Sequence, residues 1–196
     1  MFLVAGLGNP GEEYALTPHN MGFLTVSRLA ERHGIRISRK DSKALTGVGE
    51  IAGHPVMLAE PQTFMNLSGT SIAPLMRKHE IEIGQLVVVY DELDLGWLAL
   101  KIKPKGSAAG HNGMKSMIAG LGTNEFMRVR LGVHPGHPLR SGMDYLLAPF
   151  SRSQKKELEG FIDYAADAVH SIIAEGVEKS MTKFNRRAPG SPEEEA

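Results

Sequence analysis

The five residues Leu86-Val87-Val88-Val89-Tyr90 show no apolar–polar alternation, so a strand made from them is buried on both faces. Such a strand belongs inside a sheet covered by helices on either side. The rest of the chain supplies those layers. Phe2 to Leu7 reads as a second apolar strand, and Leu98 to Lys103 and Phe126 to Val133 as further ones. Residues 44 to 60 read as a hairpin, Leu45 to Ala52 and Val56 to Glu60, about a turn at Gly53-His54-Pro55. The Leu86 strand is expected to stop at Tyr90, with Asp91-Glu92-Leu93-Asp94 beyond its end.

Helical spacing predicts amphipathic helices between these strands. The first runs from Asn20, as N-cap, to about Gly34 through Phe23, Val26, Leu29 and Ala30. Others pass through Ile72, Leu75 and Met76 to near His79, and from about Met114 to Leu121. From Arg152 to Glu175 the series Leu158, Phe161, Ile162, Ala165, Val169, Ile172 and Ile173 marks a long one. A short helix with Val177, Met181 and Phe184 on one side follows. Strands that alternate with helices predict a three-layer α/β/α fold with a mixed, partly parallel, twisted sheet. A single domain over residues 1–187 is expected, with a Pro- and Glu-rich tail, 188–196, too polar to fold.

Composition then narrows the chemistry. There is no cysteine, which excludes a disulfide framework, a thiolate metal site and a cysteine nucleophile. The apolar start lacks a basic flank, and no apolar run approaches the roughly 18 residues of a membrane span. A soluble, cytoplasmic protein without membrane contact is expected. Net charge is +0, yet the charge is unevenly spread. Lys101, Lys103, Lys105, Lys115, Arg128, Arg130 and Arg140 face the single acid Glu125 between positions 101 and 143. That segment suits one local anionic contact or, equally, a solvated charged face.

The first strand runs into a Gly- and Pro-punctuated loop that ends at His19-Asn20. Gly6-Leu7-Gly8-Asn9-Pro10-Gly11 fits the dinucleotide fingerprint, but that motif needs a helix opening at its glycines. Pro10 removes an N–H there, Glu12 and Glu13 repel phosphate, and Pro18 keeps the chain non-helical until about Asn20. A nicotinamide cofactor is therefore not expected. His134 and His137 lack a third ligand nearby, and His54 and His170 read as turn and helix residues, so no metal is expected either.

Four polar clusters fall at or just past strand ends: Asn9 to His19, Met65-Asn66, Asp91-Glu92 and His111-Asn112. No serine sits in a G-x-S-x-G elbow. A histidine, a carboxylate and neutral amides suit a hydrolase in which His19 deprotonates water and Asp91 holds its ring. Asn66 or Asn112 would donate to a carbonyl or developing oxyanion. Caps, turns and buried hydrogen bonds account for such residues equally well.

Taken together, four blocks decide between these. Gly6-Leu7-Gly8-Asn9-Pro10-Gly11 with Tyr14 and Thr17-Pro18-His19-Asn20 resembles the opening signature of bacterial-type peptidyl-tRNA hydrolases. Thr63-Phe64-Met65-Asn66-Leu67-Ser68-Gly69, Asp91-Glu92-Leu93-Asp94 and Gly106-Ser107-Ala108-Ala109-Gly110-His111-Asn112-Gly113 follow in the same order and spacing. The resemblance spans about residues 2 to 187. It implies cleavage of the ester joining a peptide to the 3′ end of tRNA, without cofactor or metal, by a monomer. It makes His19 the base and Asp91 its partner. It places Asn9, Met65, Asn66 and Asn112 on the peptide, the terminal adenosine or the water, with Tyr14 and His111 beside them. Lys101, Lys103 and Arg130 match basic positions near the acceptor stem and its 5′ phosphate. A non-catalytic RNA-binding relative would tolerate a degraded site and carry an added surface, and neither is seen here.

Three positions depart from the pattern. Pro18 stands where a basic residue is usual, Gly96-Trp97-Leu98 replaces a Pro-x-Gly turn, and Ala109 sits in a loop usually richer in glycine. They bear on the strand start at Leu98 and on loop stiffness, not on the reacting groups.

Overall fold

A computed structural model describes residues 1–185 of the chain. The expected tail, and the domain boundary at 187, lie outside the described residues. The seven-stranded sheet has the order β2-β3-β4-β1-β5-β7-β6. In chain order these are β1 (Phe2–Gly6), β2 (Arg39–Asp41), β3 (Ala44–Ile51), β4 (His54–Pro61), β5 (Leu86–Gly96), β6 (Leu100–Lys103) and β7 (Met127–His134). β4, β1, β5 and β7 run parallel to one another, and β2, β3 and β6 are antiparallel to their neighbours. The helices are α1 (Met21–His33), α2 (Ser68–Lys78), α3 (Asn112–Leu121), α4 (Gly142–Leu147), α5 (Arg152–Glu175) and α6 (Val177–Phe184).

The sheet is buried on both sides, as the unalternated run requires. Val87 and Val89 join a core with Val26 and Leu29 of α1 and Phe161 and Val169 of α5. Leu86, Val88 and Tyr90 point the other way, to Ile72 and Leu75 of α2 and Met114 and Met117 of α3. This is the three-layer arrangement with a mixed sheet.

Local chemistry explains where the sequence reading and the structure part. β5 does not stop at Tyr90 but runs to Gly96, because β7 keeps pairing with it, Asp91 opposite Leu131 and Glu92 opposite Gly132. β1 ends earlier, at Gly6 opposite Val89, so Asp91 projects beside a strand that has already turned away. The hairpin turn is Ala52-Gly53, at φ 51° and 79°, and His54 is the first residue of β4, edge-on to Phe2. β6 starts at Leu100, two residues later than expected, because Gly96 to Ala99 form a turn with Leu98 at φ 72°. α3 starts two residues early, at Asn112. Residues 18–20 form a 3-10 turn with Pro18 at its first position, where its missing N–H costs nothing. β2 and α4 had no counterpart in the sequence reading.

One close approach sets the site. A Cβ on Gly22 would lie 2.4 Å from both the Leu7 nitrogen and the Val89 carbonyl oxygen, and one on Gly6 would lie 2.2 Å from the Gly22 oxygen. Two bare glycines let the first turn of α1 sit directly on the ends of β1 and β5. The residues just before α1 are thereby carried to Asp91.

Candidate active site

His19 lies in the 3-10 turn that enters α1, and its Nδ1 is 2.7 Å from Asp91 Oδ2. Both residues are buried, at 2% and 1% exposure. The other carboxylate oxygen, Oδ1, is 2.9 Å from Nε2 of His111. His111 is also the N-cap of α3, its Nδ1 accepting the Met114 N–H at 3.2 Å. That cap leaves Nε2 as the protonated nitrogen of His111, so it donates to Asp91. His19 donates from Nδ1 to the remaining oxygen, which leaves its Nε2 lone pair free to take a proton.

Burial alone would raise the Asp91 carboxyl, but His19 and His111 outweigh it and hold the group below the usual carboxylate range. Burial likewise lowers His19, and the charge and hydrogen bond of Asp91 more than offset this, so its pKa is raised. The pair is an ionised carboxylate under an imidazole biased toward accepting a proton.

These three side chains bring ligand atoms within 4.8 Å of one another, a group of metal-binding composition that the sequence reading did not assemble. Both Asp91 oxygens and one nitrogen of each ring are already spent on one another. A metal here would have to displace those bonds, and the neighbouring Glu92 carboxylate is itself spent on Arg130, so the arrangement fits a proton-transfer set better than a metal cage.

His19, Asp91, His111 and Asn112 line a crevice of about 250 Å³ with Glu92, Ala109 and, across from them, Met143 and Leu146 of α4. α4 supplies a wall that the sequence reading lacked. Its signal was present in Ser141, whose Oγ caps the Asp144 N–H at 3.2 Å. The Tyr145 hydroxyl, bonded to the Val133 carbonyl, fastens α4 to β7.

Asn20 holds the N-cap position of α1, as expected, but its side chain makes no capping hydrogen bond. Its Oδ1 accepts the Asn9 N–H at 2.9 Å and its Nδ2 donates to the Asn9 carbonyl at 3.0 Å. Asn9 in turn accepts the Met65 N–H on its own Oδ1 at 2.8 Å. A chain of amides thus ties the strand-end loop to α1 on one side and to the start of α2 on the other. Met65 is buried with its sulfur against Gly113, where an added Cβ would come within 2.5 Å of it. Asn112, first residue of α3, is exposed at the crevice, and its side-chain amide has no hydrogen-bond partner among the described residues. Asn66 is exposed and borders a groove between α2 and α3, outside the residues lining the His19 crevice. Tyr14 is half-buried in a 3-10 turn and likewise lies outside that lining.

The basic segment divides in two. Lys101 and Lys103 are exposed on the edge strand β6, opposite Arg130 and Arg128 of β7. Arg128 is buried at 1% exposure under three carbonyls, those of Ser107, Asn124 and Phe126, with its guanidinium 4.5 Å from the Phe126 ring centre. It clamps the loop leading to His111 and is spent as a surface cation. Burial lowers its pKa, though Tyr90 opposes this. Arg130 is half-committed, with Nε and Nη2 on Glu92 Oε1 at 3.1 and 3.0 Å.

The family model described as peptidyl-tRNA hydrolase matches residues 3–192. A peptidyl-tRNA hydrolase of Solibacter usitatus is 73% identical over 196 residues, covering 100% of both chains. One of Koribacter versatilis is 46% identical over 194 residues, covering 98% of this chain and 96% of that one. The crystal structure of peptidyl-tRNA hydrolase from Acinetobacter baumannii superposes with a TM-score of 0.89 at 33% identity, covering 97% of each chain.

Proposed function

The chain belongs to the peptidyl-tRNA hydrolase family, and we propose that it cleaves the ester between a peptide and the 3′ end of tRNA with His19 as the base. Water attacks the ester carbonyl while His19 Nε2 takes its proton, and Asp91 stabilises the imidazolium so formed. The carbonyl electrons move to oxygen, where the Asn112 side-chain amide supplies a donor. The intermediate collapses with loss of the ribose 3′ oxygen, which takes the proton back from His19. Water is the only co-reactant, so the reading is of an enzyme working without metal or cofactor. Asn9 and Met65 serve the peptidyl side, and Asn66 and Tyr14 serve the outer parts of the substrate. Lys101, Lys103 and Arg130 receive acceptor-stem phosphate, which positions tRNA without reading its sequence. The protein is read as a monomer acting in the cytoplasm, where translation supplies the substrate. No helix among the described residues is long and apolar enough to cross a membrane.

The observation that carries this reading is the Asp91 carboxylate bonded on one oxygen to His19 and on the other to His111. The test is hydrolysis of an N-acetyl-aminoacyl-tRNA beside its free-amine counterpart, with and without EDTA. Chelator-independent cleavage of the blocked ester supports it. An intact blocked ester after prolonged incubation refutes it.

A further inference from the structure

A second pocket, of about 260 Å³, is lined by Asn20, the chain neighbour of the His19 that lines the crevice. Its wall includes Asn9, Asn20, Ser27, Leu45, Glu60 and Gln62. Glu60 is half-buried there at the end of β4, and its side chain accepts the Ser27 hydroxyl at 2.9 Å. Gln62 directs its amide nitrogen to the Glu60 backbone carbonyl at 3.1 Å rather than to the carboxylate. Among the described residues, no ion pair involves Glu60. The nearest basic residue along α1, Arg28, sends its guanidinium to Glu159 and Asp163 of α5. A carboxylate thus sits in a concave site with a single hydroxyl donor and no ion pair among the described residues, while Leu45 offers apolar wall beside it.

We infer that this pocket takes the ammonium or guanidinium group of a basic side chain in the peptidyl part of the substrate. A half-buried anion without a cation is poorly compensated, and a charged donor on an aliphatic stem satisfies it while burying the stem against apolar wall. Burial pushes the Glu60 carboxyl up against the pull of Ser27. The location suits a peptide, because Asn20 directly follows His19 in the chain. One residue of extended backbone spans at most about 3.6 Å, and the pocket is assigned to the side chain one residue before the esterified position. Glu60 is then a specificity determinant for what the peptide carries, and it takes no part in the hydrolysis itself.

This rests on the reading of the chain as a peptidyl-tRNA esterase, and the test separates the two. Two N-acetyl-dipeptidyl-tRNAs are compared on one tRNA, with lysine or its neutral ε-acetyl form at the N-terminal position. Wild type should favour lysine by about two- to fivefold in kcat/KM. Glu60→Gln should abolish that ratio and leave the acetyl-lysine rate unchanged, and Glu60→Lys should turn the preference toward glutamate. Equal rates for both substrates in wild type would overturn the basic-side-chain pocket while leaving the esterase intact. Failure to cleave either would overturn both.

Discussion

His19 and His111 lie with ring centres 5.1 Å apart on a single carboxylate, one on each oxygen of Asp91. His19 and the cap of α3 are therefore coupled, and Asp91 cannot turn toward one ring without loosening the other. His111→Ala removes one of the two donors and leaves Asp91 Oδ1 unpaired. We expect kcat to fall about tenfold, the scale of an unsatisfied buried acceptor, with KM changed much less. The acid limb of kcat/KM should move upward, since Asp91 then acts on His19 alone. Steady-state kinetics across pH decide this, and a wild-type kcat would remove His111 from the account.

The same pair fixes two opposite pH responses. The His19 pKa is raised above its ordinary 6.5 by Asp91, net of burial. The base works unprotonated, so kcat/KM should rise with pH through a midpoint above that value. A raised folded-state pKa contributes stability in full below the unfolded value and loses it as pH rises through the folded one. Activity should therefore appear over the window in which this contribution to stability fades. Rate profiles and urea midpoints of wild type and His19→Gln measure both, and an acid limb centred below 6.5 would contradict the geometry.

Cations on one strand pair should separate by their partners. Lys101→Ala and Lys103→Ala remove exposed charges and should each flatten the log–log salt dependence of tRNA binding by roughly one, with no loss of stability. Arg130→Ala also strands Glu92, which is 2% exposed, and should cost about 3 kcal/mol of folding stability besides. Binding isotherms at several salt concentrations, with parallel unfolding curves, test the split. Equal stability of the three variants would show that the Glu92 pair contributes little.

Asn20→Ala removes both bonds to the Asn9 backbone and leaves a buried N–H and carbonyl unpaired. A loss of about 3 kcal/mol is expected, with a drop in kcat as the loop carrying Asn9 loosens. Chemical denaturation checks the first part, and turnover at saturating substrate checks the second. A variant as stable as wild type would mean that water replaces the amide without cost.

Much of this was legible in the residues. α5 falls on its expected bounds, because a 24-residue apolar stripe leaves little freedom. The central strand faces both cores, because its run admits no polar side. Polar strands were harder to see. Asp91 and Glu92 read as lying past the strand's end, and the pairing of β5 with β7 keeps them in the sheet. Arg39–Asp41 has no apolar pattern and forms β2 by pairing with β3. Ala109 and Leu98 adopt φ of 49° and 72° without being glycine, and these are two of the positions that depart from the family pattern. Burial at 5% exposure offsets the strain at Leu98. In the site, residue types pointed to His19 and Asp91. Spacing could not show that His111 caps a helix and holds Asp91 at once. Nor could it show that Arg128 is buried, since a guanidinium satisfied by three backbone carbonyls has no sequence signature.

The central claim is that the Nε2 lone pair of His19 takes the proton of the attacking water. Its most direct test is single-turnover hydrolysis of an N-acetyl-aminoacyl-tRNA by His19→Asn, with tRNA affinity measured alongside. The account predicts a rate lower by about 10²- to 10⁴-fold with binding nearly unchanged. Turnover within a fewfold of wild type, at normal affinity, would contradict it.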